Sequence, residues 1–263
     1  MLRATLTSLL VAMVSSVIVA APAQAQPAPL AAIGDSYMAG IGAGAYLDED
    51  GCRRSELSYA ADASRRTGEG LVDASCPGAR IPQVLEQSTT IPVDATWVLV
   101  QVGGNDIGFG EIAAACLTPW STRCLSQISE ADARLAQVSA GLADVAASVR
   151  ERAPRARLIM AGYPRLLASP RQCSTTLVGR LLEPRDITAI NSLQARLDAT
   201  IRTAAAANGA RYVDWPRSVD RRSLCSADPW FVTPLSGAVE DSLHPTAPAY
   251  AAMGREISRI LRR

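Results

Sequence analysis

Apolar and polar positions divide the chain into short hydrophobic runs and longer amphipathic stretches. Five runs have the length of β-strands and are bounded by polar or glycine-rich residues: Leu30–Ile33, Leu71–Ala74, Trp97–Val102, Leu158–Ala161 and Arg211–Val213. The stretches between them repeat apolar residues at helical spacing. Because strands that alternate with helices form parallel sheets, the pattern predicts an α/β fold with three layers. Its sheet should be doubly wound and mostly parallel, with about five strands.

Three helical stretches are well defined by their apolar spacing. The clearest spans Ile128–Val149 and is stopped by Pro154, because proline cannot continue a helix. A second spans Ile187–Ile201 and ends at Asn208-Gly209, a pair that is typical of a helix C-terminus. A third covers about Pro248–Leu261. Two long segments, 162–179 and 215–243, show neither pattern, and segments of that length are usually functional or held by other contacts.

The N-terminal residues are typical of a secretory signal peptide. A positive charge precedes an apolar run over Leu6–Ala21, and Ala23-Gln24-Ala25 supplies the small residues that signal peptidase recognises. A membrane anchor is the alternative, since the run is almost long enough to span a bilayer. The proline-rich stretch that follows favours cleavage after Ala25. We therefore predict a signal peptide over residues 1–25, a single domain over residues 26–263, no remaining transmembrane segment, and a secreted protein.

Composition excludes several kinds of chemistry. The chain has 26 basic and 25 acidic residues, so no charge excess indicates binding to nucleic acid. Every basic residue is arginine, which excludes mechanisms that need a lysine nucleophile. His244 is the only histidine, so a catalytic zinc site with two histidine ligands cannot be built. We expect neither a cofactor nor a metal.

Six cysteines follow the predicted signal peptide, which is typical of a protein from an oxidising compartment. They are Cys52, Cys76, Cys116, Cys124, Cys173 and Cys225. The short CxxC spacing of zinc sites is absent. Six thiols can pair in many ways, and the residues alone do not choose among the pairings.

Candidate chemistry follows the predicted strands, at the edge where parallel sheets bind ligands. The first strand runs into Gly34-Asp35-Ser36-Tyr37, so the Ser36 hydroxyl should face the crevice and its N–H could donate to an oxyanion. The alternative is that Ser36 only caps a helix.

The third strand ends in Gly103-Gly104-Asn105-Asp106, where Asn105 is either an amide donor or a turn residue. Cys76-Pro77-Gly78-Ala79 follows the second strand. If the three strands are neighbours, the N–H groups of Ser36 and Gly78 and the Asn105 amide converge.

His244 lies in Asp241-Ser242-Leu243-His244-Pro245, three residues after a carboxylate. A lone histidine is more often structural than catalytic. Here, however, a carboxylate at Nδ1 would fix the tautomer and leave Nε2 free to take a proton from Ser36. Asp241 is the predicted partner of the ring, with Glu240 as the alternative. A serine, a base, an orienting group and oxyanion donors together make an acyl-transfer site.

These blocks resemble those of the SGNH hydrolases, with Tyr37 in place of the last residue of the GDSL block. Ser36, Gly78, Asn105 and His244 occur in the order of that family. The resemblance implies a flavodoxin-like SGNH hydrolase fold, with Ser36 as nucleophile, His244 as general base and acid, and Asp241 as the orienting residue. It also implies an oxyanion hole of Ser36, Gly78 and Asn105. In some relatives a backbone carbonyl replaces the orienting carboxylate.

Tyr163-Pro164, Asp228-Pro229-Trp230 and the six cysteines further resemble the secreted actinobacterial lipases and esterases of this family. Their disulfides are paired in sequence order, which implies the pairs Cys52–Cys76, Cys116–Cys124 and Cys173–Cys225. Our hypothesis is a secreted, monomeric serine carboxylester hydrolase that cleaves lipid or short-to-medium acyl esters through an acyl-enzyme. The alternatives are a carbohydrate acetyl esterase and a non-catalytic module that binds lipid or glycan.

Overall fold

A five-stranded parallel sheet lies at the centre of the protein. The computed structural model describes residues 29–47, 50–118, 121–236 and 239–263, so the predicted signal peptide lies outside the described residues. In chain order the strands are β1 (Leu30–Gly34), β2 (Tyr46–Leu47), β3 (Arg54–Ser55), β4 (Leu71–Asp73), β5 (Trp97–Gln101), β6 (Arg157–Ala161) and β7 (Arg211–Val213). The strand order in the central sheet is β4-β1-β5-β6-β7, and β2 and β3 form a separate antiparallel pair. All five predicted strands are confirmed.

The sheet places the polar turns side by side. β1 pairs in parallel with β4 on one side and with β5 on the other. The chain therefore continues from β1 to one neighbour and then crosses to the opposite one, which makes the carboxyl ends of β1 and β5 a topological switch point. Every residue of β1 and of β5 is buried, as expected for central strands that are covered on both faces.

Helices cover both faces of the sheet, which confirms the three-layer prediction. They are α1 (Ser36–Ala39), α2 (Tyr59–Thr67), α3 (Ile81–Ser88), α4 (Phe109–Leu117), α5 (Cys124–Ala133), α6 (Leu135–Arg152), α7 (Pro170–Cys173), α8 (Pro184–Ala207), α9 (Arg217–Asp220) and α10 (Ala247–Leu261). One group consists of α2 packed on α10, and in the other α6 packs against both α3 and α8. Within the described residues, no helix has both the length and the apolar character needed to cross a bilayer.

One predicted helix is two helices in the structure. The apolar spacing over Ile128–Val149 is shared by α5 and α6, which meet at Arg134. The Arg134 guanidinium donates to the carbonyl of Ile107, so a tertiary contact accompanies the break. Since Ile128 and Val138 are both buried on either side of it, the hydrophobic pattern carries no sign of the joint. The other two helices are confirmed as α8 and α10.

The irregular segments are joined to each other by a disulfide. Residues 162–179 contain α7, residues 215–243 contain α9, and the Cys173–Cys225 bridge links the two segments. The remaining bridges are Cys52–Cys76 and Cys116–Cys124. The pairing in sequence order is therefore confirmed.

Candidate active site

The turn from β1 into α1 presents Ser36 at the edge of the sheet. At Gly34 the backbone has φ = +155°, and a Cβ there would collide with the carbonyl oxygen of Gln101 in β5, so only glycine fits. Asp35 caps α1, because its carboxylate accepts the N–H of Tyr37 at 3.0 Å. Ser36 is thus the first residue of the helix and not its cap, which corrects the capping alternative. A backbone N–H at this position has no acceptor within the helix.

His244 reaches Ser36 across 208 residues of sequence. Its Nε2 lies 2.8 Å from the Ser36 Oγ, and its Nδ1 lies 2.9 Å from the carbonyl oxygen of Ser242. A carbonyl can only accept, so it selects the tautomer with the proton on Nδ1. The lone pair on Nε2 then faces the serine hydroxyl, which is the arrangement of a nucleophile and its base.

Among the described residues the carboxylate of Asp241 makes no hydrogen bond to the imidazole, contrary to the predicted arrangement. Its Oδ1 accepts a hydrogen bond from Arg53 Nη2 at 2.9 Å, and Arg53 Nη1 donates to Glu240 at 2.9 Å. The Arg53 guanidinium therefore binds both Asp241 and Glu240, the two carboxylates predicted as partners of the His244 imidazole. The Ser242 carbonyl takes the orienting position, as in the backbone-carbonyl alternative.

Three donors from separate turns line the same cavity as His244. Asn105 Nδ2 donates to the carbonyl of Ala79 at 3.0 Å, which fixes the amide and leaves its second hydrogen for another acceptor. Gly78 has φ = +79°, and nothing lies within 4 Å of the place where its Cβ would stand. A Cβ would thus find space, but a side chain there would strain the turn because of its positive φ. Ser36, Gly78, Asn105 and His244 all line this one cavity.

The cavity beside these residues has a volume of about 740 Å³, and its wall is mostly apolar. Residues of α4 and α8 form much of that wall, including Ile112, Ala113, Leu193 and Leu197. A second cavity of about 30 Å³ also borders Ile112 and Ala113, and it is lined further by Val178 and Leu182. Apolar surface therefore continues beyond the serine between α4 and the disulfide-linked segments.

A buried tyrosine, Tyr163, connects two of the turns. The sequence patterns assigned this side chain no role in the site. Its hydroxyl donates to Asp35 Oδ2 at 2.5 Å and accepts the N–H of Gly104 at 3.0 Å. It therefore ties the turn that carries Ser36 to the turn that carries Asn105. Burial raises the pKa of Asp35 to about 7, although the hydrogen bond from Tyr163 opposes that shift.

Partial burial also changes the proton affinity of the imidazole. Removal from solvent lowers the pKa of His244, while hydrogen bonding to the Ser242 carbonyl acts in the opposite direction. The lower pKa keeps the ring neutral, and hence able to accept a proton, to a more acidic pH than an exposed histidine.

Comparisons with known proteins agree with the fold and the blocks. Residues 32–252 match the sequence profile of the GDSL-like Lipase/Acylhydrolase family. A lipase of Streptomyces rimosus is 35% identical over 237 residues, which are 89% of this chain and 86% of that protein. The crystal structure of phospholipase A1 from Streptomyces albidoflavus NA297 matches with a TM-score of 0.81 at 28% identity, over 90% of this chain and 98% of that one. That of an extracellular lipase from Streptomyces rimosus matches with a TM-score of 0.80 at 31% identity, over 89% and 98%.

Together the fold and these relatives define the class of the protein, which is a carboxylic ester hydrolase. Within that class the chain belongs to the GDSL-like lipase/acylhydrolase family, as the four sequence blocks predicted.

Proposed function

We propose that this protein is a secreted lipase or esterase that cleaves acyl esters through an acyl-enzyme on Ser36. The observation that carries the proposal is the 2.8 Å contact between Ser36 Oγ and His244 Nε2 beside an apolar cavity. Its catalytic unit is a serine and a histidine oriented by the Ser242 carbonyl, in place of the predicted Ser-His-Asp triad.

Acylation begins when His244 Nε2 takes the proton of the Ser36 hydroxyl as Oγ attacks the ester carbonyl carbon. The negative charge that forms on the carbonyl oxygen is stabilised by the N–H groups of Ser36 and Gly78 and by Asn105 Nδ2. His244 then donates its proton to the departing alcohol oxygen, and the C–O bond breaks.

Deacylation repeats the sequence with water in place of Ser36. The imidazole removes a proton from the water, the new tetrahedral intermediate uses the same donors, and Ser36 leaves with the returned proton. Throughout both steps the Ser242 carbonyl accepts a hydrogen bond from Nδ1–H. This bond stabilises the imidazolium in place of a carboxylate.

The apolar cavity favours an acyl chain longer than acetyl. Transfer of each methylene from water to apolar surroundings contributes about 0.8 kcal/mol, or roughly a four-fold gain in binding. Activity should therefore rise with chain length until the cavity is filled. A carbohydrate acetyl esterase would draw no benefit from the wall that α4 and α8 provide.

Secretion is supported by the three disulfides, since such bridges persist in oxidising compartments. The likeness to an extracellular lipase agrees with this location. Mass spectrometry of the protein recovered from culture medium tests it: the mature chain should begin at Gln26. Recovery of the full chain in the membrane fraction would favour the anchor instead.

The test of the reaction is hydrolysis of p-nitrophenyl esters from acetate to palmitate by the wild type and by Ser36→Ala. We expect activity that increases beyond acetate and is lost in the variant. Ser258→Ala is the matched control, because Ser258 is buried in α10 and its hydroxyl donates to the carbonyl of Arg255. An optimum at acetate would favour the acetyl esterase. Binding of lipid without any Ser36-dependent hydrolysis would favour the non-catalytic module.

A further inference from the structure

The loop that carries His244 contains a backbone conformation that leucine rarely adopts. Leu243 has φ = +67°, in the left-handed region where the Cβ of an L-residue is crowded. It lies between Ser242, whose carbonyl meets Nδ1, and His244 itself. Rotation at Leu243 would therefore change both the direction of that carbonyl and the direction of the imidazole.

Both backbone polar groups of Leu243 are bonded to other parts of the molecule. Its N–H donates to the carbonyl of Val232 at 2.8 Å, and its carbonyl accepts the hydroxyl of Tyr37 at 2.9 Å. The first contact belongs to the loop itself, because Val232 in turn donates to the carbonyl of His244. The second comes from α1, the helix that carries Ser36.

Tyr37 also packs on the imidazole. Its ring centroid lies 5.1 Å from that of His244 and 5.2 Å from that of Tyr163. The Tyr37 side chain thus passes beside the imidazole, and its hydroxyl reaches the Leu243 carbonyl. Burial raises the pKa of the Tyr37 phenol, so the hydroxyl remains a donor wherever the protein is folded.

We propose that Tyr37 is a positioning residue for His244: its hydroxyl holds the Leu243 turn in the conformation that aims the imidazole at Ser36. The contact supports the loop whose Ser242 carbonyl stands at Nδ1 in place of a carboxylate, since Arg53 binds both Asp241 and Glu240. The leucine of the GDSL block could not make it, since leucine carries no donor. This inference rests on the proposed roles of Ser36 and His244.

The first experiment is kinetic and uses Tyr37→Phe, which keeps the ring and removes the hydroxyl. We expect kcat to fall about five- to ten-fold, which corresponds to one buried hydrogen bond, while KM stays within about two-fold. Tyr250→Phe is the matched control: its hydroxyl is equally buried and donates to the carbonyl of Ile41 at 2.8 Å. That variant should lose a comparable amount of thermal stability and keep its kcat.

The second experiment observes the imidazole directly. The chain has one histidine, so ¹⁵N-histidine labelling gives a single pair of ring nitrogen signals that belongs to His244. In the wild type and in Tyr250→Phe these signals should report one neutral tautomer, with the proton on Nδ1. In Tyr37→Phe we expect them to move toward each other as the ring exchanges between tautomers.

Unchanged nitrogen signals in Tyr37→Phe would overturn the proposal, whether or not kcat falls. A kcat equal to that of Tyr250→Phe would overturn it as well. Failure of the proposed function is a separate result, because it would be seen as hydrolysis that survives Ser36→Ala while the nitrogen signals still report the geometry of the ring.

Discussion

The turn that carries Ser36 and the loop that carries His244 are held in place by different means. Ser36 follows a fully buried strand, and its turn is fixed by the Asp35 cap and by the close approach of Gly34 to β5. The His244 loop is paired with Val232 by backbone hydrogen bonds, and it is also held by side chains from elsewhere, including Arg53 and Tyr37. The Ser36 turn therefore follows mainly from regular structure, whereas the His244 loop depends more on side chains that are distant in the sequence.

The greatest loss of activity among these variants is expected in the turn after β5, which carries Asn105. Asn105→Ala removes the amide that we assign to the oxyanion, and we expect kcat to fall about 10²- to 10³-fold with little change in KM. Asn208→Ala is a control, because Asn208 ends α8 and its side-chain amide donates to the Ala204 carbonyl at 2.9 Å. A loss in Asn105→Ala that is confined to KM would contradict the assignment.

An intermediate effect is expected from acid. The neutral imidazole is the active form, and burial lowers the pKa of His244 below its ordinary value of about 6.5. At pH 6.5 more than half of the enzyme is therefore still active, and kcat/KM should reach half of its plateau only at a lower pH. A midpoint above pH 6.5 would contradict this.

The ionisation of Asp35 must be separated from that of His244, since burial raises the pKa of Asp35 to about 7. The same profile measured with Asp35→Asn makes the separation, because asparagine also caps helices well. We expect the acid limb to persist in this variant. Its disappearance would assign the limb to Asp35.

The smallest expected effect lies in the histidine loop. Asp241→Asn should lower kcat by about five-fold at most, since the carboxylate bonds Arg53 and the Ser242 carbonyl remains at Nδ1 in the variant. In a Ser-His-Asp triad the corresponding change costs about 10⁴-fold. Measured side by side with Asn105→Ala, an equally large loss in Asp241→Asn would show that the Asp241 carboxylate orients the imidazole after all.

What the sequence predicts follows the same division. The five strands and the turns at Ser36, Gly78 and Asn105 are predictable because apolar runs and glycines act on their immediate neighbours. His244 is predictable as well, because it follows these turns in the block order of the SGNH hydrolases. The disulfide pairing became predictable only through the resemblance.

The contacts that the sequence leaves undetermined join distant residues. Arg53 meets Asp241 across 188 residues, and Tyr37 meets Leu243 across 206, so no local pattern indicates either pair. The joint between α5 and α6 is not visible in the sequence either, because the apolar spacing continues past Arg134 without interruption. A contact with a residue distant in the sequence accompanies each of these features.

The most direct test of the account is the identity of the residue that becomes acylated. An alkyl fluorophosphonate forms a stable bond to an activated serine, and peptide mass spectrometry locates the adduct. We predict one adduct, on Ser36, formed at a much lower rate in His244→Ala and absent in Ser36→Ala. An adduct on another residue, or labelling that persists in Ser36→Ala, would contradict the central claim.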